Sequence, residues 1–501
     1  MNLPNSVHNR LSYAGAVIAG LALIVFGFLF FLHSVTDTAR APYASLLIFV
    51  LVPAVLVFGL ALIPLGMLRE RRHVRRTGEQ SIPRLPVLDM NDPRQRNMVV
   101  IVAIGSVFLL FLTVFGSFQA YEATESVAFC GATCHTVMAP EYVTYQSSPH
   151  ARVKCVECHV GPGAEWYVKS KMSGLYQVYA VLFDKYPRPI TGPISSLRPA
   201  QETCEQCHWP DHFFQAQQRR IDHFLPDEQN TRWEIDLLIK TGGGKPGALE
   251  TGGIHWHMNI NNRVEYIATD AQRQQIPWVR MTDRTTGRVT EFMSTENPLS
   301  KEDIAHAALR KMDCMDCHNR PSHTFRSPAE SINRALAAGK IDSTLPFIKK
   351  TAVEALTAEY ASSDAASQGI ANAVSRFYEK NYPALVASRH DTIIDAIGEV
   401  QAIYARSFFP LMKARWDEYP NNIGHFMFAG CGRCHDGKHQ TSDGKLISND
   451  CHTCHTITAQ GKPDAMTFAG DRNGLAFEHP EEIGTLWQEM PCSSCHKGAI
   501  P

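Results

Sequence analysis

The fourteen cysteines of this 501-residue chain constrain it more than any other feature. They fall into seven pairs, each followed at once by histidine: Cys130–Cys134–His135, Cys155–Cys158–His159, Cys204–Cys207–His208, Cys314–Cys317–His318, Cys431–Cys434–His435, Cys451–Cys454–His455 and Cys492–Cys495–His496. Six read C-x-x-C-H, and the first, CGATCH, carries one extra residue. A zinc ribbon takes two cysteine pairs per metal and does not need the histidine. A thioredoxin-type site takes one pair beside a βαβ pattern. C-x-x-C-H is the attachment signature of c-type haem. Two thiols form thioethers with the porphyrin, and the adjoining histidine supplies the proximal ligand. The expectation is seven haems. At the first motif the longer loop leaves an empty or metal-bound site as the alternative.

Axial ligands follow from a count. Of 22 histidines seven are proximal, and His8, His33 and His73 lie in the apolar first 118 residues. The twelve others are His150, His212, His223, His255, His257, His306, His323, His390, His425, His439, His452 and His479. They are enough for histidine on both faces of every iron, an arrangement that favours electron transfer by leaving no open site. For each of them ordinary hydrogen bonding is the alternative. His452, inside a motif, is the weakest candidate.

Three apolar stretches precede the first motif: Leu11–Leu32, Tyr43–Leu68 with Pro53 and Pro64, and Met98–Phe118. Each is long enough to span a bilayer core of about 30 Å. Residues 69–97 between the second and third carry eight arginines against Glu70, Glu79, Asp89 and Asp92. By the positive-inside rule this link is cytoplasmic, so the third span delivers every motif to the periplasmic side, where c-type haem is attached. The N-terminus then faces the cytoplasm. A cleaved signal peptide is the alternative for the first stretch. A formal charge of −1 argues against nucleic-acid binding.

The expected fold is mainly α with sparse regular structure: three transmembrane helices and a periplasmic multihaem domain with a small β-rich insertion. Residues 1–97 hold two spans and the basic link, and 98–118 the anchor helix. A four-haem domain follows at 119–326, then a helical linker region at 327–420 and a three-haem segment at 421–501. The insertion, 231–295, reads as two hairpins. His255–Ile260 pairs with Arg263–Ala268 around Asn261-Asn262, and Val279–Thr282 pairs with Arg288–Phe292 around Gly287. His255 and His257 then share a strand face. Thr241–Gly247 (TGGGKPG) lacks the Lys-Ser/Thr pair of a phosphate loop and is rejected as one.

Residues from the third span to about 210 resemble the NapC/NirT family of membrane-anchored quinol dehydrogenases, through FCGATCHTVM, Ser148–His150 before CVECH, the Lys169/Lys171 segment and CEQCHWP. The whole is similar to enlarged seven-haem inner-membrane members from metal-reducing bacteria. The resemblance implies Met138 as a ligand of the first haem iron and His150 as a distal ligand. It also implies Lys171 in a quinol pocket, with Lys169 nearby and Gln177 where the family has an acidic partner. It implies oxidation of a membrane quinol and delivery of electrons to a periplasmic cytochrome or reductase. A terminal reductase of a small oxyanion and a non-catalytic wire subunit are the alternatives.

Overall fold

The computed structural model describes residues 9–35, 51–77, 89–133, 135–161, 163–194, 198–208, 216–242 and 253–499. Contacts divide the chain into two units, Met1–Glu125 with His159–Gln177, and Ser126–Cys158 with Val178–Pro501.

The first unit holds α1 (Arg10–Val35), α2 (Val52–Thr77) and α3 (Pro93–Thr124). All three are long and apolar enough to cross a membrane. Residues 43–50 of the second predicted span lie outside the described residues. The helix runs unbroken through Pro64 and past Leu68 to Thr77. Arg69, Arg71, Arg72, Arg75 and Arg76 therefore ride a helical extension and not a loop. α3 starts at Pro93, and Asp92 caps it by accepting from the Arg94 N–H at 2.9 Å. Its 32 residues make about 48 Å of helix, more than the hydrocarbon thickness.

α1 and α2 pack through small residues. A Cβ on Gly59 would lie 2.7 Å from the Ala19 nitrogen, and one on Gly15 2.6 Å from the Gly59 carbonyl oxygen. Ser12 Oγ donates to the Ile63 carbonyl at 3.0 Å. Lipid gives apolar helices no hydrophobic reason to associate, so close backbone approach and interhelical hydrogen bonds must hold them.

The second unit has its largest apolar core in residues 325–419. Helices Pro328–Ala337, Ile348–Thr357, Ser363–Asn381 and Pro383–Ser407 bury Ile332, Leu345, Ile348, Val353, Ile370, Val374, Tyr378 and Val400 completely. The segment expected as a linker is thus where conventional packing concentrates.

Two antiparallel sheets flank it in sequence. One runs β1 (Ala216–Phe224), β2 (Arg232–Lys240), β8 (His455–Lys462), β9 (Ala465–Phe468). The other is ordered β6 (Arg310–Lys311), β3 (Asn262–Ile267), β4 (Trp278–Asp283), β5 (Val289–Ser294), β7 (His439–Gln440). Each sheet takes strands from both sides of the helical core, so the β structure extends beyond 231–295. β4 and β5 form the hairpin around Gly287, whose φ of +72° suits glycine. The first predicted hairpin is corrected. Ile254–Met258 is a 3-10 turn, and β3 pairs with β4. The asparagines do make a turn, but one that ends the 3-10 segment. Asn259 Oδ1 accepts from the Asn261 N–H at 2.9 Å, and Asn262 Nδ2 donates to the Trp256 carbonyl at 2.9 Å. β3 instead buries Val264 and Tyr266 against Ile276 and Val279.

Gly59→Val is expected to separate α1 from α2, at a cost of about 1–3 kcal/mol for overpacking. The check is a lower thermal midpoint in detergent. Gly105→Val serves as control, because a Cβ there meets nothing within 4 Å.

Candidate functional site

A spacing of i, i+3, i+4 places two cysteines and a histidine on one face of a single helical turn. The motifs are built this way. Cys155–His159, Cys314–Cys317 and Cys492–Cys495 are short helices, and Gly430–Arg433 and Cys451–Thr453 are 3-10 turns. The histidine N–H donates to the first cysteine's carbonyl in His208→Cys204 (2.8 Å), His318→Cys314 (2.8 Å), His435→Cys431 (3.0 Å) and His496→Cys492 (2.8 Å). Cys134 and the His135 side chain lie outside the described residues.

Motifs adjacent in sequence are adjacent in space. The Cys130 thiol donates to Cys155, drawing it down to about 7. Cys158 lies within electrostatic reach of Cys207, Cys204 donates to Cys314, and Cys317 interacts with Cys431. Cys431 in turn interacts with Cys454, and Cys451 with Cys492. Burial pushes Cys317 and Cys434 up to about 12 and Cys454 up to about 11.

Five proximal histidines face a second imidazole. Ring centres lie 5.9 Å apart for His150 and His208, 6.3 Å for His255 and His318, and 5.8 Å for His257 and His435. His425 and His455 are 6.2 Å apart. His496 has two neighbours, His479 at 6.1 Å and His223 at 6.5 Å. Two imidazoles on opposite faces of one metal, each bonded at about 2 Å, have centres roughly 6 Å apart, so these residues fit an iron held between them. Burial lowers His255, His257, His318, His455 and His496 and takes His223 to about 3, favouring the neutral ring that binds metal. Several candidates turn Nδ1 to a backbone carbonyl: His150 to Pro321 (3.2 Å), His255 to Thr241 (2.8 Å), His257 to Ile254 (3.0 Å), His323 to Glu141 (2.9 Å) and His479 to Glu481 (2.8 Å). That bond fixes a ligand's tautomer with the lone pair on Nε2. His455 Nδ1 is buried with no hydrogen-bond partner among the described residues. His212 lies outside the described residues.

His439, a ligand candidate by sequence, has its ring engaged within the protein. It is 2% exposed and spends both ring nitrogens, Nδ1 on Asp436 at 2.8 Å and Nε2 on the Ile276 carbonyl at 2.7 Å. Burial alone would lower it, but Asp436 and the carbonyl outweigh this and raise it. His452 likewise bonds Asp450 and the Asn473 carbonyl. His306 turns Nδ1 to the Glu302 carbonyl on an exposed helix end, and His390 lies exposed beside Asp391.

In the first unit Lys171 Nζ lies 2.9 Å from Glu125 Oε1. Glu125, 5% exposed, caps the C-terminal end of α3. Lys171 stands on α4 (Ala164–Leu182) with Nζ 4.7 Å from the Tyr167 ring centre. Gln177 is exposed and bonds Ser173 at 3.4 Å, and Lys169 covers Trp166 at 4.6 Å. Lys171 therefore has an acidic partner, supplied by α3 and not by position 177. The sequence carried a signal for it, since Glu122 and Glu125 are the first carboxylates after the uncharged third span. Met138 is half-buried on the helix His135–Gln146, three positions after His135 and so on the same helix face.

His439→Gln is expected to keep the full haem complement and visible spectrum while losing about 1–3 kcal/mol of stability. The wild-type contribution has a definite sign. A raised folded-state value means it is complete below the ordinary histidine range and lost as pH rises through the raised value. Chemical denaturation across that range, in both proteins, checks it.

Residues 92–189 match the profile of the NapC/NirT cytochrome c family, N-terminal region. Cytochrome c-type protein ImcH of Geobacter sulfurreducens is 46% identical over 458 residues, 91% of this chain and 89% of that relative. Cytochrome c-type protein NrfH of Wolinella succinogenes is 31% identical over 114 residues, 22% of this chain and 62% of that relative. No solved structure matches. With the motif turns and three membrane-length helices, these likenesses establish that the chain belongs to the NapC/NirT membrane cytochromes, which carry covalently bound c-type haem.

Proposed function

We propose that this protein oxidises a membrane quinol and passes the electrons along seven haems to a periplasmic cytochrome or reductase. The observation that carries the reading is the Lys171–Glu125 ion pair. It joins the end of a membrane-length helix to the segment after the second motif. Quinol oxidation releases two electrons and two protons. Haem, when bound, supplies one-electron acceptors. The chain must handle the protons, and Glu125 Oε1 is the group to receive the first from a quinol hydroxyl and pass it to water before taking the second by the same route. Lys171 Nζ holds that carboxylate in place and, being partly exposed, gives the proton a way to water. Burial of Glu125 at a bilayer edge suits an apolar donor arriving from lipid.

The chain's other residues would hold the haems. The fourteen cysteines attach them, and His135, His159, His208, His318, His435, His455 and His496 approach from the motif side. Positions 135 and 138 share one helix face, so one iron takes His135 or Met138 from that side. His150, His255, His257 and His425 are the opposing ligands for the third to sixth motifs. His479 or His223 serves the seventh, and His323 and His212 stand for those unassigned. Histidine on both sides favours a conduit over a terminal reductase. The α2 arginines support a cytoplasmic position for that helix end, with the haems on the periplasmic side.

Anaerobic mixing with reduced menaquinone or ubiquinone analogues, followed at the haem α-band, tests this. Lys171→Met and Glu125→Gln are expected to lower quinol-driven reduction by about 10²-fold, the usual contribution of proton transfer at a positioned group. Dithionite reduction and seven haem masses should stay intact. Wild-type rates in both variants overturn the site.

A further inference from the structure

The fourth and fifth motifs are the only neighbours in the series separated by the helical core, yet they are tied together twice. The first tie is Arg433, between the two cysteines of the fifth motif. Its guanidinium donates to three carbonyls: Asp316 at 2.7 Å, Arg273 at 2.8 Å and Gly430 at 2.8 Å. Asp316 lies between the two cysteines of the fourth motif and is 2% exposed. Its carboxylate accepts from Tyr266 Oη (2.6 Å), Arg310 Nε (2.7 Å), Arg273 Nη1 (3.3 Å) and the Asp313 N–H (2.8 Å). Asn422 Nδ2 adds a second bond to the Asp316 carbonyl at 3.0 Å. The second tie is the 3-10 turn Ile254–Met258. It presents His255 to His318 of the fourth motif and His257 to His435 of the fifth.

A buried carboxylate with two guanidiniums is weak evidence for stability, because desolvation offsets the attraction. Such networks are better explained where they specify geometry. Here the geometry specified is that of the two motifs against one another, because the guanidinium fork of the fifth motif cannot rotate without abandoning the Asp316 carbonyl of the fourth.

The geometry points to a joint: Arg433 on Asp316, with the shared His255/His257 turn, sets the separation of the fourth and fifth haems, and electron passage from the first four to the last three depends on it. This rests on the seven-haem reading above. Arg433 is a positioning residue and touches no substrate.

The test uses the purified full-length holoprotein in detergent, with Arg433→Met and Arg433→Lys. Lysine keeps the charge but not the fork that reaches three carbonyls. Both variants should retain seven haem masses. A haem count other than seven in the wild type would defeat the functional reading, independently of the joint. In stopped-flow reduction the variants should split into two phases. The absorbance of three haems should lag behind that of the other four, as a separate slower phase. Paramagnetic resonance of the oxidised variants should show the spin coupling between two low-spin centres weakened. If Arg433→Met does not assemble, Arg433→Lys decides. Reduction in one phase with unchanged spin coupling, in either assembled variant, overturns the joint. So does a second phase in Lys438→Met, which removes only an exposed ion pair with Glu296.

Discussion

Everything in the second unit depends on the geometry of one helical turn. Two thiols and an imidazole at i, i+3 and i+4 define a single attachment face, and the hydrogen bond from the histidine N–H to the first cysteine's carbonyl closes the turn. Because the third, fourth, fifth and seventh motifs are closed locally in this way, their shape needs little from the rest of the chain. Elsewhere the chain brings a second imidazole opposite His208, His318, His435, His455 and His496. His150, His255, His257 and His425 arrive from a loop, a 3-10 turn and an irregular stretch. Irregular backbone serves well for His150, His255 and His257, because a carbonyl bond to Nδ1 fixes each ring without a regular element.

That division explains what could be read from the sequence. The motifs were legible because attachment is local, and the three membrane-length helices because hydropathy is a property of the segment alone. The pairing of rings was not, since His425 with His455 and His150 with His208 are choices of tertiary structure among twelve similar side chains. The hairpin around Asn261-Asn262 misled because asparagine side chains close a turn after a 3-10 segment as readily as between strands. His439 looked like any other candidate until its two nitrogens were placed on Asp436 and Ile276. Glu125 escaped notice because the resemblance directed attention to position 177, where this chain has an amide.

Packing is distributed unevenly for a related reason. Haem-bearing segments leave many motif cysteines and histidines only half-buried, as attachment surfaces must be. The helices of 328–407, which carry no motif, hold most of the fully buried aliphatic side chains. The cofactor is expected to complete the apolar surface around the motifs, so those regions gain stability with attachment. The motif-free helices have no such source and must supply their own core.

Order along the chain and order in space coincide for all seven motifs, and this has a mechanistic consequence. A series of sites whose neighbours are also sequence neighbours can keep its spacing by short connections, as between the first and second motifs or the fifth and sixth. The intervals from His208 to Cys314 and from His318 to Cys431 break that economy, the second by placing a folded helical block between consecutive sites. Short connection cannot fix the spacing there, so tertiary contacts must. That is where the buried Asp316–Arg433 network is found, and where one turn carries two histidines toward two motifs. A buried polar network thus falls at an interval where chain connection gives little control over distance.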